Sequence, residues 1–338
     1  MTAGFVGPAL LGLAPVAVFL GALVILDSYK LVRLRVVLAV VGCGMAGALA
    51  AYFLNGFLLA RLSIGFEAYT RYAAPVVEEA LKALVIVALV RMHRIGFLVD
   101  AAILGFATGA GFALVENLFY LRVAPDATLG TWLVRGFGTA IMHGGATAIF
   151  AVMAVAMLER AKRFAATVAL PGFVIAVLLH SAFNHFFFSP IASTAGVAIV
   201  LPLVLQLVFA RSERAVGNWL GKGFDADAEM LALIESGRFP DSPVGRYLGE
   251  LRVKFQGPIV ADLLCYLRLY TELALRAKGI LMMRENGFEV PVDAATREKF
   301  VEMRYLEKSI GRTAILALQP MLRMSHKDLW QLYMLGKR

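Results

Sequence analysis

Seven runs of apolar residues, near 5–26, 36–59, 73–90, 97–120, 131–158, 166–188 and 191–210, leave this chain few ways to fold. Each is long enough to cross about 30 Å of hydrocarbon as a helix rising about 1.5 Å per residue. The composition agrees: 60% of the 338 residues are hydrophobic, 17% are charged and the mean hydropathy is +0.75. A soluble globular chain has about 45–50% apolar and about 25% charged residues, so that class is excluded. The expected fold is all-α, a polytopic membrane helix bundle of about seven spans followed by a C-terminal helical domain. The first 26 residues have no basic leading region and are read as a transmembrane helix that stays, not as a cleaved signal peptide.

Charge divides the chain. Residues 1–210 hold 13 Lys and Arg against 8 Asp and Glu, while residues 211–338 hold 20 against 16. The expected domains are therefore a membrane bundle over 1–210 and a cytoplasmic helical domain over 211–338. The net charge of +9 belongs to loops and to contact with anionic lipid, so no nucleic acid is expected as a partner. One set of alternate loops carries Lys30, Arg33, Arg35, Arg91, Arg94, Arg160, Lys162 and Arg163. The opposite set carries only Arg61, Arg71 and Arg122. That excess places the N-terminus outside and the C-terminal domain in the cytoplasm. Cys43 and Cys265 fall in different environments, so neither a disulfide framework nor a cysteine metal site is legible.

Within the polar part, Asp225 to Glu229 reads as an acidic helix start. An amphipathic helix is expected from Pro258 to about Lys278, and another from Ala294 to Met321. The small-residue clusters Gly42–Gly47 and Gly105–Gly111 read as places where membrane helices approach closely.

Against this apolar background a few residues stand out. Glu78, Glu79 and Lys82 lie within five positions of one another inside the third run. One charge at the bilayer centre costs from about 2.5 to more than 10 kcal/mol, so such a cluster must pair, face a cavity or do chemistry. Lys82 can share a helical face with Glu78 at i+4 or with Glu79 at i+3. Adjacent carboxylates are about 100° apart on a helix, so one can hold Lys82 while the other faces inward. Glu79 is expected to be the working one.

The fourth run carries Glu116 and Asn117, the fifth Arg135, Thr139, His143 and Thr147 at four-residue intervals, and the sixth His180, Asn184 and His185. Counted from the outer ends of their runs, Glu116 lies about 6 Å deep, Glu79 about 9 Å, His180 about 12 Å and His143 about 18 Å. These four groups can therefore meet in the outer half of the membrane. Asp100 is expected at a cytoplasmic end, reaching the headgroups. A proton- or cation-coupled transporter also uses intramembrane Glu, Lys and His, and an inactive scaffold can retain them, so both readings stand beside an enzyme.

In this order the residues resemble the PrsW family of intramembrane proteases, within the wider group that includes the CAAX prenyl proteases. The pattern is EExxK at Glu78, Glu79 and Lys82, FxxxEN at Phe112, Glu116 and Asn117, a histidine at His143, and HxxxN at His180 and Asn184. The CAAX enzymes usually carry EExxxR and FxxxH. Here Lys82 comes one position early and Glu116 replaces the histidine, which favours the PrsW side. The resemblance implies hydrolysis of a peptide bond in a membrane-anchored protein, an anti-sigma factor for some members, in the cytoplasmic membrane of a bacterium. Two mechanisms stay open. In one, Glu116, His143 and His180 bind a divalent metal, zinc by donor type, with Glu78 or Glu79 as base. In the other, a desolvated Glu activates water while His180 and Asn184 stabilise the oxyanion.

Overall fold

The computed structural model describes residues 3–161, 165–288, 290–318, 321–322 and 326–336. Its regular elements are helical, with no strand among the described residues. In chain order they are α1 (Ala3–Leu26), α2 (Leu34–Arg61), α3 (Phe66–Ala68), α4 (Ala74–Arg91), α5 (Leu98–Val123), α6 (Leu129–Leu133), α7 (Ala140–Ala161) and α8 (Ala166–His185). Then follow α9 (Pro190–Glu235), α10 (Pro243–Glu250), α11 (Gly257–Glu285), α12 (Ala294–Ile310), α13 (Arg312–Leu318) and α14 (His326–Gly336). π-helical segments at Tyr69–Ala73 and Val134–Thr139 join α3 to α4 and α6 to α7 without a break. The chain forms two compact units, Met1–Glu213 and Arg214–Arg338, with the boundary inside α9.

Among the described residues, six helical stretches are long and apolar enough to cross a membrane: Val6–Leu26, Leu34–Arg61, Leu98–Val123, Leu129–Ala161, Thr167–His185 and Pro190–Glu235. The protein is a polytopic membrane protein. The remaining expected span, α4, is a helix of 18 residues, but four of these are charged. Its length of about 27 Å comes with a polarity that only neighbouring helices can satisfy.

α5 is the axle of the first unit, with every residue from Val99 to Phe112 buried, and it packs against α7, α2 and α1. Small residues set these distances. A Cβ at Gly44 would lie 2.0 Å from the Thr108 carbonyl oxygen, and one at Gly111 would lie 2.0 Å from that of Val41, so α2 and α5 touch backbone to backbone. At Gly109 a Cβ would lie 2.2 Å from the His143 carbonyl oxygen, which brings α5 equally close to α7. Lipid offers helices no hydrophobic reason to associate, so this intimate packing replaces it. Gly42 and Gly47 in the same cluster face open space and take no part.

Asp100 does not reach the headgroups. It is 1% exposed and accepts hydrogen bonds from the backbone N–H groups of Gly96 and Phe97, at 2.7 Å each, at the start of α5. The carboxylate thus satisfies donors that a helix N-terminus leaves free.

The second unit buries Leu263, Leu267, Leu273 and Ile280 of α11 together with Phe300, Met303 and Leu306 of α12. Its one deeply buried cation is Lys278 among the described residues, bonded to Asp227 at 2.6 Å and Gln331 at 3.1 Å over the Trp219 ring. Two sequence expectations change here. The acidic run Asp225–Glu229 is not a helix start, because α9 continues through it to Glu235. The helix expected from Ala294 to Met321 breaks at Gly311, whose φ of +77° no other residue adopts without strain. Its expected end at Gln319–Pro320 lies outside the described residues.

Gly109→Ala should push α5 and α7 apart at a cost of about 1–3 kcal/mol, read as a lower thermal unfolding midpoint in detergent. Gly47→Ala, which adds its methyl to open space, should leave the midpoint unchanged. Equal midpoints would show that the α5–α7 contact is not set by backbone proximity.

Candidate active site

α4, α5, α7 and α8 each deliver acid, base or cation side chains to one buried cluster. From α4 come Glu78, Glu79 and Lys82, from α5 Glu116, from α7 His143 and from α8 His180. Glu79, Lys82, His143 and His180 are each no more than 3% exposed.

Lys82 chooses Glu79. Its ammonium lies 2.5 Å from Oε1 of Glu79 and 3.0 Å from Nδ1 of His143, and it also sits 4.7 Å from the centre of the Phe112 ring. An ammonium can only donate, so Nδ1 of His143 accepts and the ring proton belongs on Nε2. Nε2 then donates to Oε2 of Glu116 at 2.8 Å. The other oxygen of Glu116 takes a bond of 2.9 Å from Arg135. Arg135 is itself held by Oδ1 of Asn117 at 2.9 Å and stacks 3.6 Å from the Tyr120 ring centre. Asn117 anchors the group by donating to the Gly12 carbonyl oxygen of α1 at 2.7 Å. Arg135 thus has an ion-pair partner, Glu116, and works from the π segment ahead of α7.

His180 faces both acids of α4. Its Nδ1 lies 2.9 Å from Oε1 of Glu79, and its Nε2 lies 3.8 Å from Oε2 of Glu78. The ionised Glu79 accepts only, so Nδ1 carries the proton and Nε2 presents a lone pair toward Glu78. The imidazoles of His143 and His180 meet edge to face, with centroids 4.6 Å apart.

Three carboxylates therefore share two fixed cations. Glu79 has Lys82, Glu116 has Arg135, and Glu78 has neither within ion-pair distance. An unpaired charge in such a place is costly until a proton or a cation meets it. Glu78, His143 and His180 can also each direct one ligand atom to a common point, the three lying within 4.8 Å of one another. The sequence expected Glu116 in that set, but Arg135 and His143 occupy both of its oxygens, and Glu78 takes its place.

Asn184 stands one helical turn beyond His180, with its side-chain amide donating to the Thr70 carbonyl oxygen at 3.0 Å. Neighbouring Ser181 donates to the Arg71 carbonyl oxygen at 2.6 Å. His185 points away from the cluster, bonding the Ser181 carbonyl oxygen at 2.7 Å and stacking on Phe187. Sequence reasoning passed over Asn55, whose amide reaches Glu78 at 3.1 Å, and Tyr69, whose hydroxyl reaches Asn55 at 2.8 Å. The available signal was a lone strongly polar side chain near the end of the second apolar run.

Comparison with known proteins agrees with this arrangement. A family model described as PrsW family intramembrane metalloprotease matches residues 32–210, more than half of the chain and all of the residues that build the cluster. No curated protein and no solved structure matches the chain significantly. A membrane helix bundle that gathers paired glutamates and two histidines from four helices, matched over that whole region by one family, belongs to the PrsW family of intramembrane metalloproteases.

Proposed function

We propose that this protease hydrolyses a peptide bond of a membrane-anchored protein with water activated at Glu78. The observation that carries the reading is the charge count, which leaves Glu78 as the carboxylate without a cation, 3.8 Å from a histidine lone pair. That distance is too long for a direct hydrogen bond, and a water set to one side of the pair can bond to both groups.

Glu78 then acts as general base. It takes a proton as the water oxygen attacks the peptide carbonyl, and returns it to the leaving amide nitrogen. Glu79 does not share this work, because Lys82 and His180 already hold it. It keeps His180 in the tautomer whose Nε2 faces the water, as an orienting carboxylate does for a catalytic histidine. Lys82 fixes Glu79 in turn. The expectation that one glutamate is tied to Lys82 while its neighbour works is thus kept, with the two roles exchanged.

A second reading has its own observation. The family is described as metalloproteases, and two histidines with one carboxylate and an open position is a catalytic zinc donor set. Glu78, His143 and His180 would hold the ion. The hydrogen bond from Nδ1 of His180 to Glu79 is the outer contact that metal-bound histidines keep. His143 can join only by giving up Lys82 or Glu116, since both of its nitrogens are engaged. A bound zinc ion supplies Lewis acidity and lowers the pKa of a coordinated water to about 7. In that case Glu78 is a ligand and not the base.

The wider setting completes the proposal. The substrate is a single-span protein of the anti-sigma factor kind, in the cytoplasmic membrane of a bacterium. The loop charges support an N-terminus outside and residues 211–338 in the cytoplasm, where that domain governs substrate access or binds a cytoplasmic partner.

Purified protein in detergent, assayed against a panel of single-span polypeptides, tests the central claim. Glu78→Gln should lower kcat by about 10²- to 10⁴-fold with the fold intact, and wild-type turnover by this variant would remove Glu78 from the chemistry. Treatment with a strong chelator separates the two readings: undiminished turnover in metal-free protein assigns Glu78 as base, and a loss restored by zinc assigns it as ligand. Lys82→Met strands the buried Glu79 and should cost about 3–5 kcal/mol of stability. Adding Glu79→Gln to that variant should recover much of the loss, whereas an unchanged unfolding midpoint in Lys82→Met alone would show that the pair is not structural.

A further inference from the structure

Glu78 has a second oxygen, and the structure spends it on a relay. Oε1 accepts a hydrogen bond of 3.1 Å from Nδ2 of Asn55 on α2. Oδ1 of the same amide accepts one of 2.8 Å from the hydroxyl of Tyr69, which is 2% exposed. The order of donors follows from chemistry. A carboxylate only accepts, so Asn55 must turn its NH₂ toward Glu78, and its carbonyl end then requires a donor, which Tyr69 supplies. Removing the hydroxyl frees the amide to turn over and loosens the carboxylate that it holds.

Tyr69 is in place because the helix ahead of Glu78 is not regular. The backbone N–H of Ala74 reaches back five residues to Tyr69 rather than four to Thr70, which makes Tyr69–Ala73 a π turn. Pro75 follows and has no N–H to donate. In a regular helix that N–H would serve the Arg71 carbonyl, four residues before it, and in a π turn the Thr70 carbonyl, five before it. α8 supplies a donor to each of these carbonyls, with Ser181 on Arg71 at 2.6 Å and Asn184 on Thr70 at 3.0 Å. Ser181 and Asn184 are three residues apart and share a helical face, directly after His180. One stretch of α8 therefore presents His180 to the acids and also pins the π turn that carries Tyr69.

We propose that Tyr69 and Asn55 are positioning residues that fix the Glu78 carboxylate, and that Ser181 and Asn184 hold the Pro75 π turn in the register that brings Tyr69 to Asn55. This inference rests on Glu78 being the working carboxylate. It also gives the asparagine of the HxxxN pattern a structural task, through its bond to the Thr70 carbonyl. Bulk packing alone would explain buried side chains, but not two adjacent carbonyls of the turn ahead of Pro75 met by two donors from one helix face.

The test compares Tyr69→Phe, Asn55→Ser, the double variant and Glu78→Gln on the single-span polypeptide that the wild type cleaves fastest, with thermal unfolding followed in parallel. Tyr69→Phe and Asn55→Ser should each lower kcat by about 10- to 100-fold, with KM unchanged and the unfolding midpoint within a few degrees of wild type. The double variant should be no worse than Asn55→Ser, because the two residues act in series. An unchanged kcat in Tyr69→Phe, or losses that multiply in the double variant, would overturn the relay while Glu78→Gln is inactive. A Glu78→Gln variant that turns over at the wild-type rate would instead overturn the assignment beneath it.

Discussion

The architecture of the first unit depends on neutralising charge where water is scarce. The pairs Glu79–Lys82 and Glu116–Arg135 are each closed within 2.9 Å, and each ties helices together through a histidine. Lys82 reaches across from α4 to His143 on α7, and Glu79 reaches to His180 on α8. Arg135 joins the segment ahead of α7 to α5, and Asn117 carries the connection on to α1. A pair that only balanced charge would be poor evidence for stability, since desolvation offsets much of the attraction. These pairs also fix the tautomers of both histidines, which aligns one lone pair with the one carboxylate left over.

That alignment needs helices closer than ordinary side chains permit. α5 carries glycine at the points where α2 and α7 cross it, so backbones meet there and the longer polar side chains beyond can reach across the bundle. Glu116 and Asn117 lie on α5 past this glycine-rich stretch, while His143 follows directly from the α7 backbone that touches Gly109. Packing and chemistry thus share one helix, with small residues on one stretch and polar ones on the next.

Much of this was legible in the sequence, and its limits have physical causes. Apolar length and composition gave an all-helical membrane bundle. The rarity of intramembrane charge pointed to Glu78, Glu79, Lys82, Glu116, His143 and His180, which the structure gathers into one cluster. The choice of Lys82 between its two neighbours was not legible, because i+3 and i+4 partners are equivalent by spacing alone. The hold of Arg135 on Glu116 was not legible, because an interhelical contact leaves no mark in linear order. Asp100 looked exposed because its capping bonds to Gly96 and Phe97 exist only once the start of α5 has folded. The π turn was hidden because a helical wheel assumes a constant rotation per residue, and Tyr69–Ala73 breaks that assumption without breaking the helix.

The same turn bears on how this site can diverge. A π turn is one residue longer than the α turn it replaces, so it arises or disappears through a single inserted or deleted codon. Residues after it keep their places, whereas residues before it swing by about 100° around the helix axis. Glu78, Glu79 and Lys82 all follow Tyr69–Ala73, and Tyr69 stands at its start. One codon gained or lost there would exchange the group that reaches Asn55 and leave the acids untouched. Relatives that retain every acidic and histidine position can therefore differ in how firmly they grip the carboxylate that Asn55 holds, and the difference would surface in an alignment only as a gap.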